Sequence, residues 1–251
     1  MLKEVKALVH HGYQAVKNLR TQPVSPLFRG RPEISGDLSE NDIADLSRLC
    51  PVSAIDEKTG AIDLGKCVFC RECEFLKPGK IRFTNDYKIA SNNRNSIIIQ
   101  PGSTEPVKYD ESLLRKEIRE MFHGSLKLRQ VSAGGDNSCE MELAAAGNVN
   151  FDMGRFGIEF VASPRHADGI VITGPVSANM ADALKLTLEA VPEPRIIILT
   201  GTDAISGGIF AESPAIDRSF IEKYHVDLFV PGNPAHPLTF INGVMDMLAM
   251  K

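Results

Sequence analysis

The sequence contains no tryptophan, and aromatic residues make up only 6% of its 251 residues. It also lacks an uninterrupted apolar run long enough to cross a bilayer, so no transmembrane span of its own is predicted. The net charge of −4 shows no basic excess, which argues against nucleic acid as a partner. Hydrophobic content of 43% is ordinary for a folded chain of this length. These observations indicate a globular protein, whose function has to be inferred from particular residues.

Cysteine is also scarce, and four of the five cysteines lie in one short segment. Cys50 precedes Pro51, and the run Cys67-Val-Phe-Cys70-Arg-Glu-Cys73 follows. A C-x2-C-x2-C triplet with a remote Cys-Pro is the ligand pattern of one [4Fe–4S] cluster in bacterial ferredoxins. Disulfides are disfavoured because no signal-peptide pattern is present. The pattern predicts one [4Fe–4S] cluster on these four residues, and a structural zinc on the same thiolates is the alternative.

A second cluster at this end of the chain is not predicted. A two-cluster ferredoxin would carry another cysteine triplet just before Cys50, at the positions of Glu40, Ile43 and Leu46. None of these is a thiolate, and the segment 39–49 has the pattern of an amphipathic helix.

The pattern along the chain divides it into four regions. They are an N-terminal docking helix and extended arm (1–32), a ferredoxin-like [4Fe–4S] domain (33–90), a linker and helix (91–124) and an α/β domain (125–251). The predicted helix over residues 1–20 is basic and amphipathic, so it either docks on a partner subunit, which we favour, or lies on a membrane surface. Residues 54–63 are expected to form a short hairpin with Gly60 at its turn.

Alternating helix and strand patterns begin near residue 111. The predicted helices are 111–122 and 181–190, and the predicted strands are 126–132, 169–173, 195–200 and 226–230. Because a crossover helix lies between two buried strands, the sheet should be parallel with helices on its faces. Gly-rich turns after the strands at 174, 201 and 232 are expected to share the carboxyl edge, where α/β proteins bind ligands.

Several blocks of the second half carry a family resemblance. They are Gly134-Gly-Asp-Asn-Ser-Cys-Glu-Met-Glu142, Ser163-Pro-Arg-His-Ala-Asp168 leading into Ile172-Thr-Gly-Pro-Val176, Gly201-Thr-Asp-Ala-Ile-Ser-Gly-Gly-Ile-Phe210 and Val230-Pro-Gly-Asn-Pro234. From about residue 125 the chain resembles the small subunit of group 4 membrane-bound [NiFe] hydrogenases and the homologous 20 kDa (B-type) subunit of complex I. The resemblance implies a flavodoxin-like α/β fold that holds a proximal [4Fe–4S] cluster against a large subunit, here fused to the ferredoxin-like module.

The departure from the family concerns the proximal cluster. Where the hydrogenase relatives carry four cysteines, this chain has Asp136, Cys139, Asp203 and Asn233. We therefore expect the proximal cluster to be lost and the site to be a packed or water-filled polar pocket. The alternatives are a metal site on Cys139 and the two carboxylates, and a retained cluster with unusual ligands. Neighbouring buried carboxylates would raise each other's pKa, and Arg165 is the candidate cation beside them.

The function that the resemblance implies is electron transfer within a membrane-associated oxidoreductase complex. The expected partners are a hydrogenase-like or complex I 49 kDa-like large subunit and other iron–sulfur and membrane subunits, with the chain peripheral to the cytoplasmic face of the cell membrane. No catalytic residue is assigned, because the subunit is not expected to be catalytic alone. A structural, assembly or redox-sensing subunit is one alternative, and a hydrogenase small subunit with an atypically ligated proximal cluster is another. His225 and His236 are expected to be ordinary structural or exposed histidines.

Overall fold

In the computed structural model, the second half of the chain is built around a five-stranded parallel sheet. The structure describes residues 2–11 and 16–250. The helices are α1 (Leu2–His11), α2 (Glu40–Leu49), α3 (Glu72–Leu76), α4 (Lys116–Phe122), α5 (Ser138–Ala146), α6 (Ala178–Ala190), α7 (Thr202–Ser206), α8 (Ser219–Lys223) and α9 (Pro237–Met247). The strands are β1 (Pro32–Ile34), β2 (Ile62–Asp63), β3 (Ile81–Phe83), β4 (Ile98–Ile99), β5 (Leu126–Ser132), β6 (Ile158–Phe160), β7 (Gly169–Thr173), β8 (Ile196–Thr200) and β9 (Leu228–Val230).

The sheet has the order β6-β5-β7-β8-β9, and every neighbouring pair is parallel. Counted along the chain, this is the order 2-1-3-4-5 found in flavodoxin. Every residue of β7 and β8 is buried, as expected for central parallel strands covered on both faces. Helix α6 is the predicted crossover between them. The parallel α/β prediction is therefore confirmed.

Helices cover both faces of this sheet, because alternate residues of a strand point to opposite sides. On one face, Ile170 and Ile172 pack in a core that includes Leu184 of α6. On the other face, Val171 packs in a second core that includes Leu143 of α5 and residues of α9. The first core also contains buried residues from the N-terminal half, such as Leu46. The two halves of the chain thus share the first of these two cores.

The N-terminal half contains two small antiparallel pairs, β1 with β3 and β2 with β4. The predicted hairpin is present, since Ile55 bridges Ile62 and the amide of Asp56 donates to the carbonyl of Ala61 over 2.9 Å. Gly60 has a φ of +72°, a conformation that glycine adopts without steric cost.

Helix α2 confirms the amphipathic helix predicted over residues 39–49. Ser39 and Asp42 form a capping box, in which each side chain accepts the other's backbone N–H. Leu46 lies on the inner face of α2 and is fully buried.

The predicted helix over residues 111–122 is interrupted. Residues Glu111–Leu113 form a 3₁₀ turn, and α4 begins only at Lys116. Between them Arg115 has an extended backbone, with a ψ of 108°, and its guanidinium reaches the buried carboxylate of Asp227. This long-range ion pair sets the direction of the chain here, which local helix periodicity cannot anticipate.

The helix predicted over residues 1–20 is shorter than expected. Helix α1 ends at His11, residues 12–15 lie outside the described residues, and residues 16–20 form bends and a turn. Leu19 is buried, and its carbonyl accepts hydrogen bonds from Tyr87 Oη and Asn242 Nδ2. This part of the arm therefore packs against its own chain. Over residues 2–11 and 16–250, the helices are all too short or too polar to cross a membrane.

Candidate functional site

The four cysteines predicted from their spacing line a single pocket. Cys50 follows the last turn of α2, Cys67 and Cys70 lie in the loop after β2, and Cys73 lies in the first turn of α3. All are free thiols. The rest of the lining is mainly apolar and includes Val52. The fold therefore brings four sulfur ligands together in one mainly apolar pocket.

The loop between these cysteines has an unusual backbone. Phe69 and Arg71, on either side of Cys70, have φ values of 53° and 71°, which non-glycine residues rarely adopt. The amide of Phe69 donates to Cys67 Sγ over 3.3 Å, and the amide of Ala54 donates to Cys50 Sγ over 3.3 Å. Such N–H···S bonds favour the charged thiolate over the thiol.

The surroundings of Cys67 and Cys73 oppose ionisation of their thiols when no metal compensates the charge. Burial raises the pKa of Cys67 well above its ordinary value, and the neighbouring cysteines add to the effect. Burial, together with Cys70, raises the pKa of Cys73 to about 12. Cys67 and Cys73 therefore lose their protons at neutral pH only if bound cations neutralise the charge. The donor set thus fits an iron–sulfur cluster, whose irons require thiolate ligands.

The part of the chain that the structure describes has no group of three or more His, Cys, Asp or Glu side chains arranged around a single metal ion. A zinc site would bring four sulfurs to about 2.3 Å from one centre. In a cubane each thiolate binds its own iron, so the sulfurs stand farther apart. Four thiolates can serve either kind of centre, so a zinc site remains the alternative to a cluster here.

A second pocket contains all four positions of the altered proximal site. Asp136, Cys139, Asp203 and Asn233 line it. They follow β5, β8 and β9 at the carboxyl edge of the sheet, as the sequence predicted. Cys139 Sγ lies against Gly201, where an added Cβ would be only 2.4 Å from the sulfur. The one remaining cysteine is thus tightly packed.

The thiol of Cys139 remains protonated at neutral pH. Burial, aided by the nearby carboxylates of Glu140, Asp203 and Asp136, raises its pKa to about 12.

The two aspartates of the pocket titrate in opposite directions. Burial raises the pKa of Asp203, and the nearby charges of Asp136 and Glu140 add to the effect. Its side chain accepts no hydrogen bond from any described residue, and its Oδ1 is enclosed. The pKa of Asp136 is lowered instead, because Ser138 donates to it through Oγ over 2.6 Å and through N over 2.9 Å. The sequence predicted that neighbouring carboxylates would raise each other's pKa, and the structure shows this only for Asp203.

Arg165, the candidate cation for these carboxylates, is not their partner in the structure. Arg165 is exposed on the 3₁₀ turn Pro164–His166 and forms no ion pair with either aspartate. A half-buried guanidinium, that of Arg218, instead donates to the carbonyls of Ala204 and Ile205 over 2.9 and 2.8 Å. Arg218 thereby holds the end of α7, the helix that carries Asp203.

Sequence analysis missed two further residues of the pocket. Glu140 accepts a 2.6 Å hydrogen bond from Thr173 Oγ1, and its position beside Cys139 could have indicated a role. Thr202 donates through Oγ1 to the carbonyl of Cys67 over 2.8 Å and to that of Gly232 over 3.2 Å. No sequence pattern pointed to Thr202, because the contact joins residues far apart in the chain. It connects the four-cysteine loop directly to the acidic pocket.

Replacing Asp203 by asparagine is expected to stabilise the protein at neutral pH. A carboxyl whose folded pKa is raised binds its proton more tightly in the folded state, so stability is lost as pH rises through that pKa. Asparagine has no ionisable carboxyl, so the variant does not lose stability at this position as pH rises. The midpoint of thermal unfolding should rise most at pH 8, and the gain should shrink as pH falls toward 4. Asp136→Asn is the matched control and should lower stability at pH 8, since its carboxylate is stabilised by Ser138.

Comparison with known proteins places the second half of the chain in a family. Residues 137–247 match the model of the NADH ubiquinone oxidoreductase 20 Kd subunit. The chain is 39% identical over 115 residues to the probable membrane-bound hydrogenase subunit mbhJ of Pyrococcus furiosus, covering 46% of this chain and 69% of that protein. It is 39% identical over 109 residues to the B-type subunit of NADH-quinone oxidoreductase from Geotalea daltonii, covering 43% of this chain and 64% of that protein.

Among solved structures, a chain of the membrane-bound sulfane sulfur reductase, an archaeal respiratory membrane complex, aligns with 23% identity and a TM-score of 0.47. The alignment covers 55% of this chain and 76% of that chain. The family match lies wholly within the α/β half and does not include the four-cysteine region. From the sequence similarity to the curated relatives, the chain belongs to the NADH ubiquinone oxidoreductase 20 kDa subunit family.

Proposed function

We propose that this protein is an iron–sulfur electron-transfer subunit of a membrane-associated oxidoreductase complex. One [4Fe–4S] cluster would be held by Cys50, Cys67, Cys70 and Cys73. The observation that carries this proposal is that one pocket is lined by these four thiols and mainly apolar side chains. Two relatives of the chain are named as subunits of a membrane-bound hydrogenase and of NADH-quinone oxidoreductase, which supports a place in such a complex.

A bound [4Fe–4S] cluster supplies one-electron transfer, and the protein adjusts how readily that occurs. The amides of Phe69 and Ala54 donate to cysteine sulfurs and stabilise negative charge there. Apolar side chains such as Val52, Ile55 and Phe83 keep water out of the pocket and so lower its polarity. Thr202, through its bond to the Cys67 carbonyl, keeps the loop in place against the α/β half.

The pocket around Cys139 is proposed to hold no cluster. It offers one thiol, that of Cys139, and its other three positions are Asp136, Asp203 and Asn233. A cubane requires four ligands, normally thiolates. The interpretation as a polar pocket is therefore preferred to a metal site or an atypically ligated cluster.

A large partner subunit is proposed to cover the mouth of this pocket. Exposed apolar side chains lie on the elements that bear Cys139 and Asp203: Met141 is 67% exposed on α5, and Ile209 is 65% exposed just after α7. Exposed apolar side chains on the two elements that flank this pocket favour a protein interface there. The partner is proposed to resemble a hydrogenase or complex I 49 kDa large subunit. The chain would then be peripheral to the cytoplasmic face of the membrane.

The test is the iron and acid-labile sulfide content of anaerobically purified protein, followed by low-temperature EPR after reduction. About four irons per chain and one cubane signal are expected from the single four-cysteine set. About eight irons with two coupled signals would show that the pocket around Cys139 also holds a cluster. About one zinc and no iron would contradict electron transfer by this chain and leave a structural role.

A further inference from the structure

Arg29 links the extended arm to the loop that carries Cys67 and Cys70. Its Nη1 donates a 2.7 Å hydrogen bond to the carbonyl of Phe69, the residue before Cys70. Arg29 lines a cavity next to the four-cysteine pocket and not that pocket itself. The guanidinium therefore contacts the backbone of the cysteine loop rather than a thiol.

The hydrogen bond from Arg29 fixes the direction of one N–H group in this loop. The carbonyl of Phe69 and the N–H of Cys70 belong to the same trans peptide group, so they point in opposite directions. Within the described residues no atom accepts the N–H of Cys70. The N–H just before it, that of Phe69, donates to Cys67 Sγ over 3.3 Å. Arg29 thus holds a free donor in place in a loop whose other N–H already serves a cysteine sulfur.

The backbone of the arm holds Arg29 at this position. Gly30 donates to the carbonyl of Thr84 over 2.7 Å, and Arg31 donates to that of Asp86 over 2.9 Å. A Cβ added at Gly30 would collide with the carbonyl oxygen of Asp86, so glycine is required for this close approach. The side chain of Arg29 is exposed, but the chain that presents it is fixed.

The positive charge of Arg29 is not neutralised by a carboxylate of the described residues. Arg94, another arginine near the cysteine loop, is paired with Asp63 at 2.6 Å. Glu142 lines the same cavity as Arg29, but no ion pair joins the two side chains. The charge of Arg29 is therefore available to stabilise negative charge on the other side of the peptide group that it contacts.

We infer that Arg29 is a positioning residue that raises the reduction potential of the proposed cluster, an inference that rests on the proposed electron-transfer function. In the transfer step, one electron passes from a reduced iron–sulfur donor, which is oxidised, to the cluster, which is reduced; no bond breaks and no proton moves. The added negative charge is stabilised by the cation and by the N–H of Cys70, because a hydrogen bond to the carbonyl polarises the whole peptide group. Net charge and hydrogen bonds near the sulfurs are what set cluster potentials.

The test is an EPR-monitored redox titration of the anaerobically purified full chain, with dithionite as the reductant. Arg29→Gln removes the charge and is expected to shift the equilibrium about fivefold toward the oxidised cluster, as for an exposed charge interaction. At 59 mV per tenfold change for one electron, the potential becomes about 40 mV more negative. Arg29→Lys keeps the charge and should recover more than half of this shift. Both variants should keep the wild-type iron content, about four per chain.

Arg48→Gln is the matched control, because it removes a cation two residues before Cys50 that contacts no carbonyl of the cysteine loop. The side chain of Arg48 is 78% exposed and pairs with Asp45, so its loss should move the potential far less. Equal shifts in Arg29→Gln and Arg48→Gln, equal potentials in Arg29→Gln and Arg29→Lys, an unchanged potential in Arg29→Gln, or loss of its iron would each overturn the inference and leave the proposed function intact. A wild-type chain that binds zinc and no iron would overturn both.

Discussion

Cys67→Ala is expected to reduce the iron content from about four per chain to less than one. Cys67 is buried among the other three cysteines, and the described residues nearby offer no substitute thiolate. Iron and acid-labile sulfide analysis after anaerobic purification measures this loss. Because cluster binding and folding are coupled, the far-ultraviolet circular dichroism of the variant should also show a less ordered N-terminal half.

Cys139→Ala is a matched control, since it makes the same chemical change at another buried free cysteine. Cys67 is 8% exposed and Cys139 is 9% exposed, so packing losses should be similar. Cys139→Ala is expected to keep its full iron content. If it lost about half of eight irons, Cys139 would be a cluster ligand; if Cys67→Ala kept its iron, the assignment of the four-cysteine pocket would be wrong.

Asp227→Ala is expected to cost about 3 kcal/mol of folding free energy, because it leaves a partly buried cation without its partner. Asp227 is 7% exposed and accepts hydrogen bonds from Arg115 Nε over 2.9 Å and from the amide of Ile197 over 2.8 Å. Arg115 also donates to the carbonyl of Arg195. Removing the carboxylate therefore disconnects the segment before α4 from two strands of the sheet.

The measurement is the midpoint of thermal unfolding, which should fall by about 6–12 °C for a chain of this size. The control is Glu105→Ala, which removes an exposed ion pair with Lys108 whose side chains are 76% and 68% exposed. Such a pair contributes less than about 1 kcal/mol, so the midpoint should hardly move. Equal shifts in the two variants would mean that the buried ion pair does not stabilise this junction.

Much of the α/β architecture could be predicted because its signals are local. The central strands β7 and β8 are continuous apolar runs, which is what full burial on two faces requires. Helix α6 lies between them with an apolar stripe, and a parallel crossover follows from that order. The helix over residues 111–122 failed because an ion pair with Asp227, a distant residue, overrides helical periodicity at Arg115.

The candidate sites differ in how far the sequence could predict them. The four-cysteine set stood out because cluster ligands from one loop must have fixed short spacings. The pocket around Cys139 was located only through the family resemblance, since its positions are spread from residue 136 to 233. Arg165 was chosen by its place in a motif, but the structure puts it on the surface and puts Arg218 at the end of α7 instead.

The sequence by itself predicted the parallel α/β pattern and the set of four cysteines that we propose as cluster ligands. These depend on residue type and on spacing over a few residues, and both can be read directly. Only the tertiary structure decided that Thr202 bonds to the Cys67 loop and that Asp203 Oδ1 is enclosed with no hydrogen-bond donor among the described residues. These contacts arise where separate elements of the fold meet, and they depend on packing that no local pattern encodes.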